Sequence, residues 1–163
     1  MTVPVHTAHA QQFNNILRRL DASAGVELVQ VTDVGPATAM MLSERIAAGG
    51  FVAIVGDRVP VKGSRVAWAD FLGYRAPFPV GGYVMAAAIG CPVYTMSCLH
   101  ESDGYRVRFE HFSDRIQLPR GSREQALSQH AQRFAAWLEQ QVTQSPLDWF
   151  NFFPFWDQAS DAK

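Results

Sequence analysis

Cysteine is scarce: Cys91 and Cys98 are the only two in 163 residues. They lie too far apart for a Cys-x-x-Cys redox motif, and no histidine cluster accompanies them, so neither a thiol–disulfide centre nor a metal site is expected on them. They read as reduced thiols of an apolar strand, which fits a reducing, cytoplasmic setting. An excess of one charge is also missing. Fourteen Lys and Arg stand against 15 Asp and Glu, for a formal net charge of −1. That removes the general attraction a basic chain has for nucleic acid. No run approaches the roughly 20 apolar residues of a spanning helix, so any membrane contact is expected at the surface. The start, Met1-Thr2-Val3-Pro4, has neither the basic residues nor the apolar core of a signal peptide. Repeats, low-complexity tracts and linkers are absent. What remains is 48% hydrophobic and 18% charged, the composition of a folded chain. Its length suffices for one domain, 1–163, with a real core.

Periodicity gives the elements. Val3 to His6 reads as a short strand. Ala8 to Leu20 reads as a helix capped by Thr7, with Phe13, Ile16, Leu17 and Leu20 on one face. Val26 to Val31 alternates apolar and polar residues, as a half-buried strand does. Gly35-Pro36 opens a second helix, whose apolar face carries Ala39, Leu42 and Ile46, and Gly49-Gly50 closes it. With a strand over Phe51 to Val55, the order is β-α-β-α-β. That order predicts an α/β fold: a single domain with a mixed, mainly parallel sheet and helices on both faces. Residues 59–80, rich in Pro, Gly and aromatics, read as a long functional connection. Gly81 to Ile89 follows as a short helix of small residues. Strands over Pro92 to Cys98 and Tyr105 to Glu110 are expected to pair through a turn at Ser102-Asp103-Gly104. Ser122 with Gln125 forms a capping-box signal for a helix running to about Val142, with Leu127, Ala131, Phe134 and Leu138 on one stripe.

Two stretches point to a site. Phe-Val-Ala-Ile-Val over 51–55 is apolar enough for a strand buried on both faces, and it ends in Gly56-Asp57-Arg58. In open α/β sheets ligands bind at the carboxyl ends of strands. Asp57 and Arg58 are therefore either site residues or a surface ion pair capping the strand. The second stretch is the tail, 146–163, where six aromatics fall between Trp149 and Trp156. Three readings stay open for it: packing back over the sheet, contact with a membrane surface, or the wall of a groove for an apolar chain. Pro154 excludes a continuous helix.

The chain resembles the carboxyl-terminal half of bacterial acyltransferases of the lysophospholipid acyltransferase superfamily, near the lipid A late acyltransferases. The matching segments include His6-Thr7-Ala8-His9-Ala10, Gly35-Pro36-Ala37-Thr38-Ala39 and Ile54-Val55-Gly56-Asp57-Arg58-Val59-Pro60. They continue through Phe71-Leu72-Gly73, Ala76-Pro77-Phe78-Pro79-Val80-Gly81-Gly82-Tyr83, Cys91-Pro92-Val93-Tyr94, Leu118-Pro119-Arg120 and Trp149-Phe150-Asn151-Phe152-Phe153. The resemblance implies an incomplete acyltransferase fold. It also implies transfer of a fatty acyl group from an acyl-carrier-protein or coenzyme A thioester to the hydroxyl or amine of a lipid or glycolipid. The thioester is a co-substrate, with no bound cofactor and no metal, and the setting is cytoplasmic with peripheral contact at the inner membrane. By this resemblance Asp57 and Arg58 meet the polar or phosphate part of the substrate. Tyr83, near the start of the short helix, either lines the site or packs in the core. Val80 stands where many relatives carry a Glu, which weakens phosphate binding there.

In that superfamily the base is a His with an acidic residue five positions later. None of the five histidines here fits. The residue at that distance is Gln11 after His6, Asn14 after His9, Tyr105 after His100, Ile116 after His111 and Ala135 after His130. The motif in relatives lies upstream of the segment matching Val5-His6-Thr7, so the expectation is a back portion without a catalytic residue. Two alternatives follow: a non-catalytic module binding an acyl chain or a carrier protein, or an inactive fragment. Other residues keep two readings each. His6 and His9 are a substitute base or a helix start. Lys62, Arg65 and Arg75 are contacts for an acidic partner or solvated charge. Arg120 and Arg123 sit at a helix entrance.

Overall fold

The computed structural model describes residues 1–5, 27–30, 35–58 and 65–156. The expected helix over 8–20, with His6 and His9, and Lys62 lie outside the described residues. The chain is small and mixes helices with short strands. Its contacts group into two compact units, Met1–Val55 and Gly56–Lys163.

In the first unit, β1 (Thr2–Val5) and β2 (Glu27–Gln30) pair in parallel, with Thr2 opposite Glu27. Pro36, whose fixed φ suits a first helical turn, starts α1 (Pro36–Ala47) as its position predicts. The helix ends in a Schellman arrangement. Gly49, at φ 81°, donates to the Ile46 carbonyl, and Gly50 donates to that of Arg45, both at 2.9 Å. Arg45 Nη1 in turn donates to Thr2 Oγ1 at 2.8 Å and ties α1 to β1. The strand expected over Phe51–Val55 is reduced to a single parallel bridge between Val52 and Thr2. It is not buried on both faces: Phe51 is 74% exposed, and Ile54 and Val55 are exposed as well. A doubly buried strand needs a helical layer on each side, and the described part of this unit supplies only α1.

The second unit is built on local pairing. Residues expected to form a long connection fold instead as an antiparallel hairpin, β3 (Val66–Phe71) and β4 (Tyr74–Pro79). Its two turn residues, Leu72 at φ 51° and Gly73 at φ 82°, both adopt the positive φ that a tight primed turn requires. Ala67, Ala69 and Phe71 face inward along β3, as do Ala76 and Phe78 on β4. The short helix α2 (Gly81–Ile89) appears where expected and ends at Gly90 in the left-handed region. A second hairpin, β5 (Val93–Glu101) and β6 (Gly104–Ser113), turns at Ser102-Asp103 as the sequence indicates. Both cysteines are free, but Cys98 is exposed rather than in the core. It shares the outer face of β5 with Tyr94, Met96 and His100.

A turn of 3-10 helix at Arg120–Ser122 leads into α3 (Arg123–Gln144). Ser122 stands at the N-cap without a side-chain cap bond, so the capping box is not made. The inner stripe of α3, with Leu127, Ala131, Ala135, Leu138 and Val142, packs on the first hairpin and on Phe155 to form the core. In place of the mainly parallel sheet with helices on both faces, the described residues form three two-stranded sheets, one parallel and two antiparallel. Antiparallel pairs close through a two-residue turn, whereas each parallel pair needs a long crossover. Both turns supply the local geometry.

Candidate site around Asp57 and Arg58

Asp57 and Arg58 sit in a bend that Gly56 anchors. A Cβ at Gly56 would lie 2.8 Å from Cζ of Phe134 on α3, so only glycine allows the backbone this close to that ring. Phe134 in turn meets the Phe78 ring edge-on at 6.0 Å between centroids. The bend is therefore seated on the core through one small residue and one aromatic.

From that seat both charged side chains reach the aromatic tail. The Asp57 carboxylate accepts a hydrogen bond from the Trp149 indole N–H at 3.2 Å, Nε1 to Oδ2. The Arg58 guanidinium donates to the Phe150 carbonyl at 3.2 Å. Asp57 is half-buried and Arg58 exposed. Their charges are not spent on each other: neither forms an ion pair among the described residues. The tail divides its aromatics. Trp149 and Phe155 surround Phe71, edge-on at 5.3 and 5.7 Å, and Trp156 stacks on it at 5.9 Å. Packing back over the hairpin is thus the fate of Trp149, Phe155 and Trp156. Phe150 and Phe152 stay outside, 62% and 89% exposed, with ring centroids 6.2 Å apart. Arg58 consequently holds a cation beside an uncovered pair of phenyl rings. Asp148 fixes the start of the tail by accepting from the backbone N–H of His100 at 2.6 Å.

Tyr83 lies on α2, stacked against Phe112 at 6.4 Å and His130 at 5.8 Å. Burial pushes its phenol well above the usual tyrosine range. Asp57 and Arg58 both reach the tail, while Tyr83 stacks with Phe112 and His130 and packs against the same core as Phe134 and Trp149. His130 is held below its ordinary pKa, mainly by burial and further by the Arg133 charge, against a raising backbone hydrogen bond with Gln117. Arg133 lies over the Phe112 ring at 4.5 Å and donates to the Phe112 carbonyl.

Two of the other candidate cations are occupied: Arg65 pairs with Glu124, and Arg75 lies over Trp68. Glu110, on β6, accepts from the Trp137 indole. Sequence reasoning missed one histidine–carboxylate pair. His111 Nε2 lies 3.0 Å from Asp114 Oδ1 in an exposed turn. Its spacing is three residues, not the five that the search required. It also missed Trp149 and Phe150 as partners of Asp57 and Arg58, since they stand 92 residues away.

A family model for bacterial lipid A biosynthesis acyltransferases matches residues 1–158. The chain belongs to this family. An acyltransferase-like role, with an acyl donor and a lipid acceptor in general terms, follows from that membership. No curated protein sequence matches this member of the lipid A acyltransferase family. Among its described residues, no helix is long and apolar enough to cross a membrane, and no group of His, Cys, Asp and Glu is placed to hold a metal ion.

Proposed function

We propose that this lipid A acyltransferase family member handles a fatty acyl thioester, carried by acyl-carrier protein or coenzyme A, together with a lipid or glycolipid acceptor. In the reaction, an acceptor hydroxyl or amine attacks the thioester carbonyl. The acyl–oxygen or acyl–nitrogen bond forms, the carbon–sulfur bond breaks, and the acceptor proton ends on the released thiol. The observation that carries this reading is Arg58 fixed on the Phe150 carbonyl beside the exposed Phe150 and Phe152 rings. Arg58 offers the donors that grip a phosphate or carboxylate. The rings offer apolar surface for a chain, and Asp57 holds the tail in register through Trp149. A surface of this character also suits peripheral contact with the inner membrane at the cytoplasmic side. Tyr83 is proposed as a packing residue of the α2 cluster, a reading its stacking on Phe112 and His130 supports.

A second reading, binding without turnover, is favoured by the five histidines, none of which has an acidic residue five positions on. One experiment separates the two. Labelled acyl thioester and a lipid acceptor are incubated with the 163-residue chain and with Arg58→Ala. Transfer by the unmodified chain, lost by tenfold or so in the variant, supports the acyltransferase reading. Equal transfer by both discards Arg58 as a site residue. Retention of the thioester without transfer supports the binding reading.

A further inference from the structure

The geometry points to a second ligand site, in the open groove between α2 and the 115–119 segment. We propose that it takes a single-chain anionic amphiphile, an alkyl chain ending in a carboxylate or a phosphate. The groove encloses about 530 Å³ and is open along one side, and its chemistry is divided in two.

One wall of the α2 groove is apolar, with Val84, Ala87 and Ala88 from α2 facing Leu118. Its charged lining is Arg115 and Arg123 alone, with no acidic residue. Neither arginine forms an ion pair among the described residues. Arg123 has its Nε buried without an acceptor, which leaves the desolvation of that donor uncompensated. It also occupies the first turn of α3, where the helix dipole disfavours a cation and favours an anion. The one acidic residue of that turn, Glu124, is taken by Arg65. Arg115 lies against Gly90, its guanidinium 3.3 Å from where a Cβ would stand. A carboxylate or phosphate in the groove would satisfy the buried donor and pair with the arginine charge, while its chain lay along the α2 wall. None of these residues belongs to the Asp57–Arg58 site, so this inference does not depend on the proposed function.

The test titrates decanoate, decyl phosphate and decanol, each below its micelle concentration, into the full chain by calorimetry. Saturable binding of at least one anion, about tenfold tighter than decanol, is expected, and it should weaken as salt rises. The two anions distinguish a carboxylate from a phosphate head. Arg115→Gln with Arg123→Gln should lower the affinity about tenfold, while Arg106→Gln on β6 leaves it unchanged. Decanol binding as tightly as the anions, no saturable anion binding, or an unaffected double variant overturns the proposal. Should the double variant lose its helical circular dichroism, a diazirine-bearing decanoate decides on the unmodified chain. Label in 84–88 or 115–123 supports the site, and label confined to 149–156 overturns it.

Discussion

Gly56 shows how one side chain's absence shapes the site. Its backbone rests against Phe134, with 2.8 Å left for a Cβ. Gly56→Ala must push the ring or the bend aside, at a cost of about 1–3 kcal/mol, and should loosen the Asp57–Trp149 bond. Urea unfolding followed by tryptophan fluorescence measures both effects. Two buried titratable groups set the pH limits of the second unit. His130 has a folded-state pKa below its ordinary 6.5, chiefly because it is buried. The unfolded chain takes up that proton first as pH falls, so stability present at neutral pH is lost below about 6.5. Tyr83 mirrors it. Burial raises its pKa above 10.0, so stability is full below pH 10 and falls as pH rises beyond it. Melting temperatures across pH should show both limbs, with His130→Phe flattening the acid one and Tyr83→Phe the alkaline one. At this scale the sequence shows Asp57 and Arg58 as two charges ending an apolar run. It does not show their partners, because nothing local in Gly-Asp-Arg specifies a tryptophan and a carbonyl at the far end of the chain.

At the scale of elements, the helices were the legible part. Pro36 and Gly49-Gly50 bracket α1, and the stripe from Leu127 to Leu138 fixes α3, because start signals, stop signals and a 3.6-residue period are all local. The hairpin of β3 and β4 was hidden by its composition. Prolines at 77 and 79 and small alanines at 67, 69 and 76 weaken a strand signal. Its turn is Leu72-Gly73 rather than the Asn-Gly pair that advertises such turns. Leu72 tolerates φ 51° while packed against the core and donating its N–H to Glu139 at 2.9 Å. Gly73 has φ 82° with open space where a Cβ would go. Gly73→Ala should therefore cost about 1–2 kcal/mol through backbone strain alone, with no clash to relieve. Equilibrium denaturation gives the value, and a loss near zero would mean that the turn is not primed.

For the whole molecule, the α/β order was read correctly as a mixture but not as a sheet. Among the described residues, parallel pairing is confined to β1 with β2 and the bridge from Thr2 to Val52. The second unit closes its strands onto sequence neighbours. Family membership was legible because motifs such as Gly-Asp-Arg-Val-Pro and Trp-Phe-Asn-Phe survive whatever the strand pairing. The structure adds that these two motifs, distant in sequence, meet through Asp57–Trp149 and Arg58–Phe150. By the proposed function, this meeting makes the turn and the tail one surface for an anionic group and an apolar chain. Equilibrium binding of a labelled long-chain acyl thioester to the full chain tests it most directly, comparing the unmodified protein with Arg58→Ala and with Arg75→Ala as a control. The account predicts about tenfold weaker binding for Arg58→Ala and no change for Arg75→Ala. Equal affinity in all three proteins would contradict it.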